Sequence, residues 1–167
     1  VGSVVVVGCG KIGSAIVKLL HASGRFKLKV VEQHVPLLET IAHLRNVETT
    51  SFAVQDPEKL RAAIQGWNVV VSACSYDVNP LIAKACADAG CSYFDLTEDV
   101  ETTRRIRELA AVAKPGQIFM PQCGLAPGFI GILAWDICRH FDKLDSVKMP
   151  VGALPKYPTN RMMYNLT

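Results

Sequence analysis

Apolar and polar residues follow two different periodicities along the chain, and segments of the two kinds alternate. Residues 4–7 are four consecutive valines, which is typical of a strand buried on both faces of a sheet. The next segment repeats apolar residues every three or four positions and stops at Ser23 and Gly24, which predicts a helix. The full pattern predicts strands at 4–7, 26–31, 48–54, 67–72, 92–95 and 117–122, and helices at 12–22, 36–44, 57–64, 79–90, 97–113 and 129–141. Residues 145–151 are a further candidate strand.

Short polar signals mark where several helices begin. Asp56-Pro57 and Asn79-Pro80 each place a capping side chain before a proline in the first turn, and Thr97 is the expected N-cap of the fifth helix. The last helix is expected to pack through four apolar residues, Ile130, Leu133, Ala134 and Ile137. Strands that alternate with helices through short connections favour an α/β fold, a doubly wound parallel sheet with helices on both faces.

Three glycines follow the first strand with the spacing G-x-G-x-x-G. In this setting Gly8 makes the tight turn out of the strand, Gly10 removes a side chain that would block a pyrophosphate, and Gly13 lets the helix pack closely on the strand. The helix N-terminus then offers free N–H groups and a partial positive charge to phosphates. Strand, glycines and helix in this order predict a dinucleotide-binding domain of the Rossmann type over residues 1–142.

An acidic residue ends the second predicted strand. Glu32 lies 19 residues after Gly13, where this fold needs a carboxylate to accept hydrogen bonds from the adenosine ribose hydroxyls. The same carboxylate would repel a 2′-phosphate, and Gln33 stands where a phosphate-binding arginine would be expected. The sequence therefore favours NAD over NADP, although His34 could still contact a phosphate. A solvated carboxylate at a strand end is the alternative for Glu32.

Ligands of an open parallel sheet bind where the strands end at their carboxyl side. Gln55 and Asp56 follow the third strand, and Asp56 is a candidate for a hydrogen bond to the adenine amino group as well as an N-cap. Ala73, Cys74 and Ser75 follow the fourth strand and are small enough for the backbone to approach the ribose and nicotinamide. A tight turn without a ligand is the alternative for these three residues.

Two further strand ends are candidates on the nicotinamide side. Thr97 follows the fifth strand, and a substrate contact is the alternative to its role as a cap. The segment C-G-L-A-P-G-F follows the sixth strand, and its Gly124 and Pro127 form a shaped turn that can close over the nicotinamide. A structural turn that starts a helix explains this segment almost as well. No base lies near Cys123, so we interpret that cysteine as a small residue at a crowded strand end and not as a nucleophile.

Composition and charge narrow the function classes. Half the residues are apolar, a fifth are charged and the net charge is +3, as expected of an ordinary globular domain that does not bind nucleic acid. No apolar run approaches the roughly 20 residues that span a bilayer. The six cysteines form no C-x-x-C pair, which argues against a metal site and favours reduced thiols in a cytoplasmic protein.

Two other nucleotide-binding classes share part of this pattern. Methyltransferases also carry V-G-C-G, but they usually place an acid just before the first glycine, where Val7 stands here, and Gly13 fits the dinucleotide pattern better. A regulatory nucleotide-sensing module without catalysis would share the glycines and Glu32. Such a module does not need a sixth strand leading into the C-G-L-A-P-G-F segment, so that segment favours an enzyme.

Several longer segments resemble one family. These are V-V-V-V-G-C-G-K-I-G-S-A-I-V-K-L-L, the stretch from V-V-V-S-A-C-S to Y-F-D-L-T-E-D, P-Q-C-G-L-A-P-G-F-I-G-I-L-A-W-D-I and V-G-A-L-P. In this order they are similar to the saccharopine dehydrogenase and lysine 6-dehydrogenase group. The resemblance assigns Gly8, Gly10, Lys11, Ile12 and Gly13 to the phosphate loop, although Lys11 suits a plain surface lysine equally well. It assigns residues 124–128 to the nicotinamide side.

The resemblance implies an activity and a domain arrangement. Members transfer hydride between a nicotinamide and the C–N bond of an amino acid or its adduct, through an imine. Their second α/β domain supplies substrate and dimer contacts, so residues 143–167 are expected to begin such a domain without completing it. A small amino-acid-like substrate, a homodimer of the full-length protein and an inactive isolated fragment are the resulting expectations. No residue matches a general acid or base.

Overall fold

The computed structural model describes residues 2–150, and within them six parallel strands form one sheet. The strands are β1 (Gly2–Val7), β2 (Phe26–Val31), β3 (Val47–Thr50), β4 (Val69–Ser72), β5 (Ser92–Asp95) and β6 (Phe119–Met120). The helices are α1 (Lys11–Ala22), α2 (Val35–Leu38), α3 (Pro57–Ile64), α4 (Asn79–Ala89), α5 (Val100–Ala111) and α6 (Phe129–Cys138). The predicted alternation of strands and helices is confirmed.

The strand order is β3-β2-β1-β4-β5-β6, which places β1 in the middle of the sheet. Val7 pairs with Val31 of β2 on one side and with Ser72 of β4 on the other. This order is the doubly wound Rossmann arrangement, in which the chain reverses its direction of winding between β1 and β4. The carboxyl ends of all six strands therefore lie along one edge of the sheet.

Two hydrophobic cores lie on opposite faces of the sheet because successive side chains of a strand point to opposite faces. Val5 belongs to one core together with Leu60 of α3 and Ile82 of α4. Val6 belongs to the other core together with Val17 of α1. The valine run of β1 is buried on both faces, as predicted, and this burial anchors the loop that leaves its carboxyl end.

Several predicted boundaries are wrong. The second helix was expected over 36–44, but α2 ends at Leu38 and continues only as a 3₁₀ turn, Glu39–Ile41. The third and sixth strands are shorter than the predicted 48–54 and 117–122, because only residues 47–50 pair with β2 and only residues 119–120 pair with β5. Residues 145–150 have no regular secondary structure where a strand was expected over 145–151. Residues 151–167, the rest of the expected beginning of a second domain at 143–167, lie outside the described residues.

Two predicted caps are also wrong, and one is confirmed. Asp56 caps α3 by accepting a hydrogen bond from the Lys59 N–H at 3.1 Å, as predicted. The fifth helix is capped by Asp99 and not by Thr97. Asn79 is the first residue of α4, and its side-chain oxygen accepts a buried hydrogen bond from Ser72 at 2.7 Å instead of capping the helix.

The packing predicted for the last helix is not found. No residue of α6 is buried within the described part of the chain, and Ile132 and Trp135 are 71% and 73% exposed. The apolar pattern of this helix predicts a contact with the domain core, but no described element covers it. Among residues 2–150, no helix is both long enough and apolar enough to cross a membrane.

Candidate functional site

A cleft of about 370 Å³ opens at the carboxyl edge of the sheet, where β1, β2 and β4 end. This is the point at which the winding of the sheet reverses, and doubly wound folds bind their ligands there. The cleft is lined by the glycine loop and by residues that follow three strands, namely Gly8, Gly10, Val31, Glu32, Gln33, Leu37, Val54, Gln55, Ala73, Cys74, Ser75, Asp77 and Val78.

Gly8 and Gly13 are required by packing inside the protein. Gly8 has a φ of +93°, and a Cβ there would lie 2.9 Å from the carbonyl oxygen of Ala73. A Cβ on Gly13 would collide with the backbone carbonyl of Gly8. The first glycine therefore permits the turn out of β1, and the third permits α1 to pack against that turn.

Gly10 has no such internal reason to be glycine. Its φ is −64°, which any residue can adopt, and a Cβ there would meet no atom within 4 Å. Gly10 nevertheless lines the cleft and precedes α1, whose N-terminus is capped by no side chain among the described residues. A bare backbone beside an uncapped helix N-terminus fits a bound pyrophosphate, because the N–H groups and the helix dipole attract the anion.

Glu32 lies in the wall of the cleft and is only 8% exposed. One carboxylate oxygen accepts a hydrogen bond from the Cys9 N–H at 2.6 Å, and the other accepts one from the His34 N–H at 2.8 Å. The carboxylate therefore connects the end of β2 to the glycine loop and fixes the shape of both. Each oxygen of a carboxylate can accept more than one hydrogen bond, so capacity remains for ribose hydroxyls.

The turn after β4 forms the opposite wall of the cleft. The Ala73 N–H donates to the Val7 carbonyl at 2.8 Å, which extends the pairing of β1 with β4 up to the cleft. The Cys74 thiol donates to the same carbonyl at 3.4 Å. Burial raises the pKa of the Cys74 thiol to about 11, and the nearby carboxylates of Glu32 and Asp77 add to the increase. The thiol is therefore held protonated, as a structural group and not as a nucleophile.

The raised pKa of Cys74 predicts slow alkylation. At pH 8 we expect iodoacetamide to modify Cys74 about a hundredfold more slowly in the folded chain than in the chain unfolded by guanidinium, because a thiol with a pKa of about 11 is almost never ionised there. Mass spectrometry of the peptide that contains Cys74 would follow the reaction. Equal rates in the folded and unfolded chains would contradict the burial of this thiol.

The structure places some of the other residues predicted near the adenosine in the cleft and others outside it. Gln33 and Gln55 line the cleft, whereas Asp56 does not. Both carboxylate oxygens of Asp56 are engaged by Lys59, one by its backbone N–H and the other by its ammonium group at 3.0 Å. These hydrogen bonds lower the pKa of the Asp56 carboxyl. The contact of Asp56 with adenine therefore stays a prediction.

Lys11 and Ile12 lie at the start of α1 with exposed side chains that do not line the cleft. The surface position of Lys11 leaves both interpretations of that residue open. Thr97 is buried, but it lies after β5, outside the cleft, and its hydroxyl oxygen accepts a hydrogen bond from the Asp99 N–H at 3.2 Å. Its predicted contact with the cofactor or substrate stays a prediction.

The C-G-L-A-P-G-F segment forms a closed loop beside the end of β5. The Phe129 N–H donates to the Gly124 carbonyl at 2.9 Å, so the loop folds back on itself before α6 begins. Gly128 has a φ of +131°, and a Cβ there would collide with the Gly124 carbonyl. Pro127 lies within the closed loop, and neither Gly124 nor Pro127 lines the cleft. The loop lies at the same edge of the sheet, beyond the turn after β4.

Cys123 lies at the start of this loop and does not have the surroundings of a nucleophile. Its thiol donates to the Met120 carbonyl at 3.3 Å. Burial raises the pKa of the Cys123 thiol, and the Asp95 carboxylate raises it further. A reactive cysteine needs cationic neighbours that lower its pKa, so this site favours the structural interpretation.

Six residues at this edge of the sheet were not predicted from the sequence. Five of them line the cleft, namely Val31, Leu37, Val54, Asp77 and Val78. Asp77 could have been found from its position two residues after Ser75, in the turn that follows the end of β4 at Ser72. The sixth is Asp95, a fully buried carboxylate at the end of β5. No local pattern indicated its role, because its bond to the Gln122 N–H joins residues 27 positions apart, although Tyr93 and Thr97 are near neighbours in sequence.

A family model and a curated relative match this chain in sequence. The family model described as "Saccharopine dehydrogenase NADP binding domain" matches residues 4–120. The chain is 22% identical over 135 residues to the mitochondrial alpha-aminoadipic semialdehyde synthase of Rattus norvegicus, covering 80% of this chain and 14% of the rat protein. The chain therefore spans about a seventh of the length of this relative.

Solved structures share the fold. A saccharopine dehydrogenase (L-Glu forming) from Saccharomyces cerevisiae superposes with a TM-score of 0.72 at 19% identity, covering 84% of this chain and 31% of the yeast chain. The myo-inositol 2-dehydrogenase of Lactobacillus plantarum superposes with a TM-score of 0.61 at 15% identity, covering 83% of this chain and 41% of that chain. At these identities the likeness concerns the fold alone.

Proposed function

Since this chain belongs to the family of saccharopine dehydrogenase NADP-binding domains, we propose that its cleft binds a nicotinamide adenine dinucleotide for an oxidoreductase. The observation that carries the proposal is Gly10, a glycine that the fold itself does not require. Its missing side chain leaves the backbone at the N-terminus of α1 open to the cleft. The pyrophosphate is the part of the cofactor that fits there.

We place the adenosine half of the cofactor over β2 and the nicotinamide half toward β4 and β5. Glu32 lies at the end of β2 and can accept hydrogen bonds from ribose hydroxyls. The turn after β4, residues 73–75, lies on the other side of the glycine loop and offers small side chains to the second ribose. When bound, the nicotinamide supplies the hydride chemistry, and the chain supplies binding and orientation.

The lining of the cleft favours NAD over NADP, although the description of the family names NADP. The cleft-lining residues include two carboxylates, Glu32 and Asp77, and no lysine or arginine within the described part of the chain. A 2′-phosphate placed beside Glu32 would be repelled by the negative charge, and Gln33 cannot neutralise it. Pairing of the phosphate with an arginine is the usual solution in NADP-binding domains of this fold.

We further propose that the full-length protein acts on the C–N bond of a small amino-acid-like substrate through an imine. The proposal rests on family membership, since the matched rat and yeast proteins are named for semialdehyde and saccharopine chemistry. The chain spans less than a third of either protein, so we assign substrate binding and homodimer contacts to other parts of the full-length protein. A cytoplasmic location is part of the same proposal. We therefore expect the 167-residue chain alone to bind cofactor without turnover.

Calorimetric titration of the purified chain with NADH and NADPH tests the proposal. We expect NADH to bind at least about tenfold more tightly, which corresponds to about 1.4 kcal/mol of discrimination. Absence of heat with both dinucleotides would refute cofactor binding. Tighter binding of NADPH would refute the role proposed for Glu32 while leaving the cofactor class intact.

Exchanging the carboxylate for an amide tests the role of Glu32 directly. In Glu32→Gln, the amide oxygen can accept the Cys9 N–H, the His34 N–H loses its acceptor, and the negative charge is gone. We expect the affinity for NADPH to rise about tenfold and that for NADH to fall slightly, because the repulsion of the 2′-phosphate is removed. The ratio of the two dissociation constants is the measurement.

Glu48→Gln is the matched control for this exchange. Glu48 lies on β3 outside the cleft, where it forms a surface ion pair with Lys27 at 2.8 Å. The same change of charge at this position is expected to leave the NADH-to-NADPH ratio unaltered. An unaltered ratio in Glu32→Gln as well would show that the carboxylate does not discriminate between the two cofactors.

A further inference from the structure

Asp95, the last residue of β5, is fully buried and is placed at the centre of a hydrogen-bond network. One carboxylate oxygen accepts the Thr97 N–H at 2.9 Å and the Gln122 N–H at 3.3 Å. The other oxygen accepts the Tyr93 hydroxyl at 3.0 Å. The Asp95 backbone carbonyl accepts the Cys123 N–H at 2.8 Å. A single residue thus holds Gln122 and Cys123, the first two residues of the 122–128 loop that leads into α6.

The loop needs this support because its backbone is held in unfavourable conformations. Gln122 has a φ of +66°, which non-glycine residues rarely adopt. Gly124 lies so close to the residue that follows β5 that a Cβ there would be 3.2 Å from the Leu96 carbonyl oxygen. Residues held in such conformations persist only when the surrounding contacts determine them, and they gather at functional sites. The contacts that determine residues 122–124 come from the end of β5.

The position of the loop relates it to one half of the proposed cofactor. The sheet order places β5 next to β4, on the side of β1 opposite to Glu32 and β2. A dinucleotide whose adenosine lies over β2 extends its nicotinamide toward β4 and β5. The loop held by Asp95 lies at this carboxyl edge, so it is placed on the nicotinamide side and not on the adenosine side.

We propose that Asp95 is a positioning residue, which holds the 122–128 loop where it contacts the nicotinamide half of the bound cofactor. This inference rests on the proposed function. The two carboxylate oxygens have different roles. The oxygen shared by Thr97 and Gln122 positions the loop, and the oxygen bonded to Tyr93 holds the carboxylate itself in the core.

The test compares two ligands that differ only on the nicotinamide side. NADH contains both halves of the cofactor, whereas ADP-ribose lacks the nicotinamide and keeps the adenosine and the pyrophosphate. In Asp95→Ala the Thr97 and Gln122 N–H groups lose their acceptor. We expect the affinity for NADH to fall about tenfold and that for ADP-ribose to change less than about twofold. Calorimetry gives both values for each variant.

Two control variants separate positioning from a loss of stability. Asp95→Asn keeps an oxygen that can accept the two N–H groups, so it is expected to restore the NADH-to-ADP-ribose ratio of the wild type. Tyr93→Phe removes a bond of the same buried network but leaves the oxygen that holds the loop untouched. Its ratio is expected to equal that of the wild type, even where its melting temperature falls.

A pair of glycine variants tests the loop if Asp95→Ala does not fold. Gly128→Ala places a Cβ against the Gly124 carbonyl and must open the loop, whereas Gly131→Ala, in the adjacent helix, meets no atom within 4 Å. We expect a selective loss of NADH affinity in Gly128→Ala alone. The proposal is overturned if that loss is absent, or if Asp95→Ala folds and keeps the wild-type ratio. A wild type that binds NADH no more tightly than ADP-ribose also overturns it, whereas binding of neither refutes the proposed function.

Discussion

Replacing Gly10 with valine is expected to abolish dinucleotide binding and to leave the fold intact. The position faces open space in the cleft, and its φ of −64° suits any residue. A branched side chain there would occupy the volume that a pyrophosphate needs. We expect the dissociation constant of NADH to rise at least about a hundredfold, or about 2.8 kcal/mol, while the free energy of unfolding changes by less than about 1 kcal/mol.

Calorimetry and urea denaturation of the same preparation measure the two quantities. Gly131→Val serves as the control, because this glycine of α6 also meets no atom within 4 Å but lies outside the cleft. It is expected to alter neither value appreciably. Binding of NADH by Gly10→Val with the wild-type affinity would mean that no ligand approaches this backbone, and the placement of the pyrophosphate would be wrong.

Replacing Gly13 with alanine is expected to damage both the fold and the site. The added Cβ would collide with the Gly8 carbonyl and lie 3.3 Å from the Ala73 side chain, so α1 must move away from the turn. Overpacking a buried contact of this kind destabilises a protein by about 3 kcal/mol. The movement also displaces the N-terminus of α1, and we expect NADH binding to become undetectable.

The contrast between the two glycines is the informative result. Gly10→Val loses binding without loss of stability, whereas Gly13→Ala loses both. Urea denaturation followed by circular dichroism gives the stability of each variant, and the same samples are titrated with NADH. Wild-type stability in Gly13→Ala would show that the close contact between α1 and the glycine loop is not needed for the fold.

Much of the fold was predictable because it rests on local properties of the chain. The valine run of β1 needs burial on both faces whatever surrounds it, and a parallel sheet covered by helices provides that burial. The turn after β1 needs the conformational freedom of Gly8. The boundaries were less predictable. α2 was predicted too long because its apolar spacing continues past Leu38, where the backbone tightens into a 3₁₀ turn.

The candidate site was predictable to the extent that strand ends identify it. Eight of the predicted residues line the cleft, namely Gly8, Gly10, Glu32, Gln33, Gln55, Ala73, Cys74 and Ser75. The hydrogen bonds of Glu32 to the Cys9 and His34 N–H groups were not predictable. The first of them joins residues 23 positions apart, and its existence depends on the close approach of two strands.

Asn79 is the clearest case in which neighbouring residues predict a role that the folded chain does not use. Its position before Pro80 suits an N-cap, and no neighbouring residue in the sequence argues otherwise. The turn after β4 brings its side chain against the Ser72 hydroxyl in the core, where a buried polar group must find a partner. The need for that partner outweighs the local capping preference, and only the folded chain supplies it.

The sequence by itself determined the order of strands and helices, the parallel sheet and the glycine loop, because hydrophobic periodicity and the missing Cβ of glycine act over a few residues. The tertiary structure alone decided which polar groups at the carboxyl edge of the sheet bond to one another. Asp95 meets Gln122 across 27 positions of sequence because β6 pairs with β5. Such contacts follow from the strand order, and no local segment of the chain encodes them.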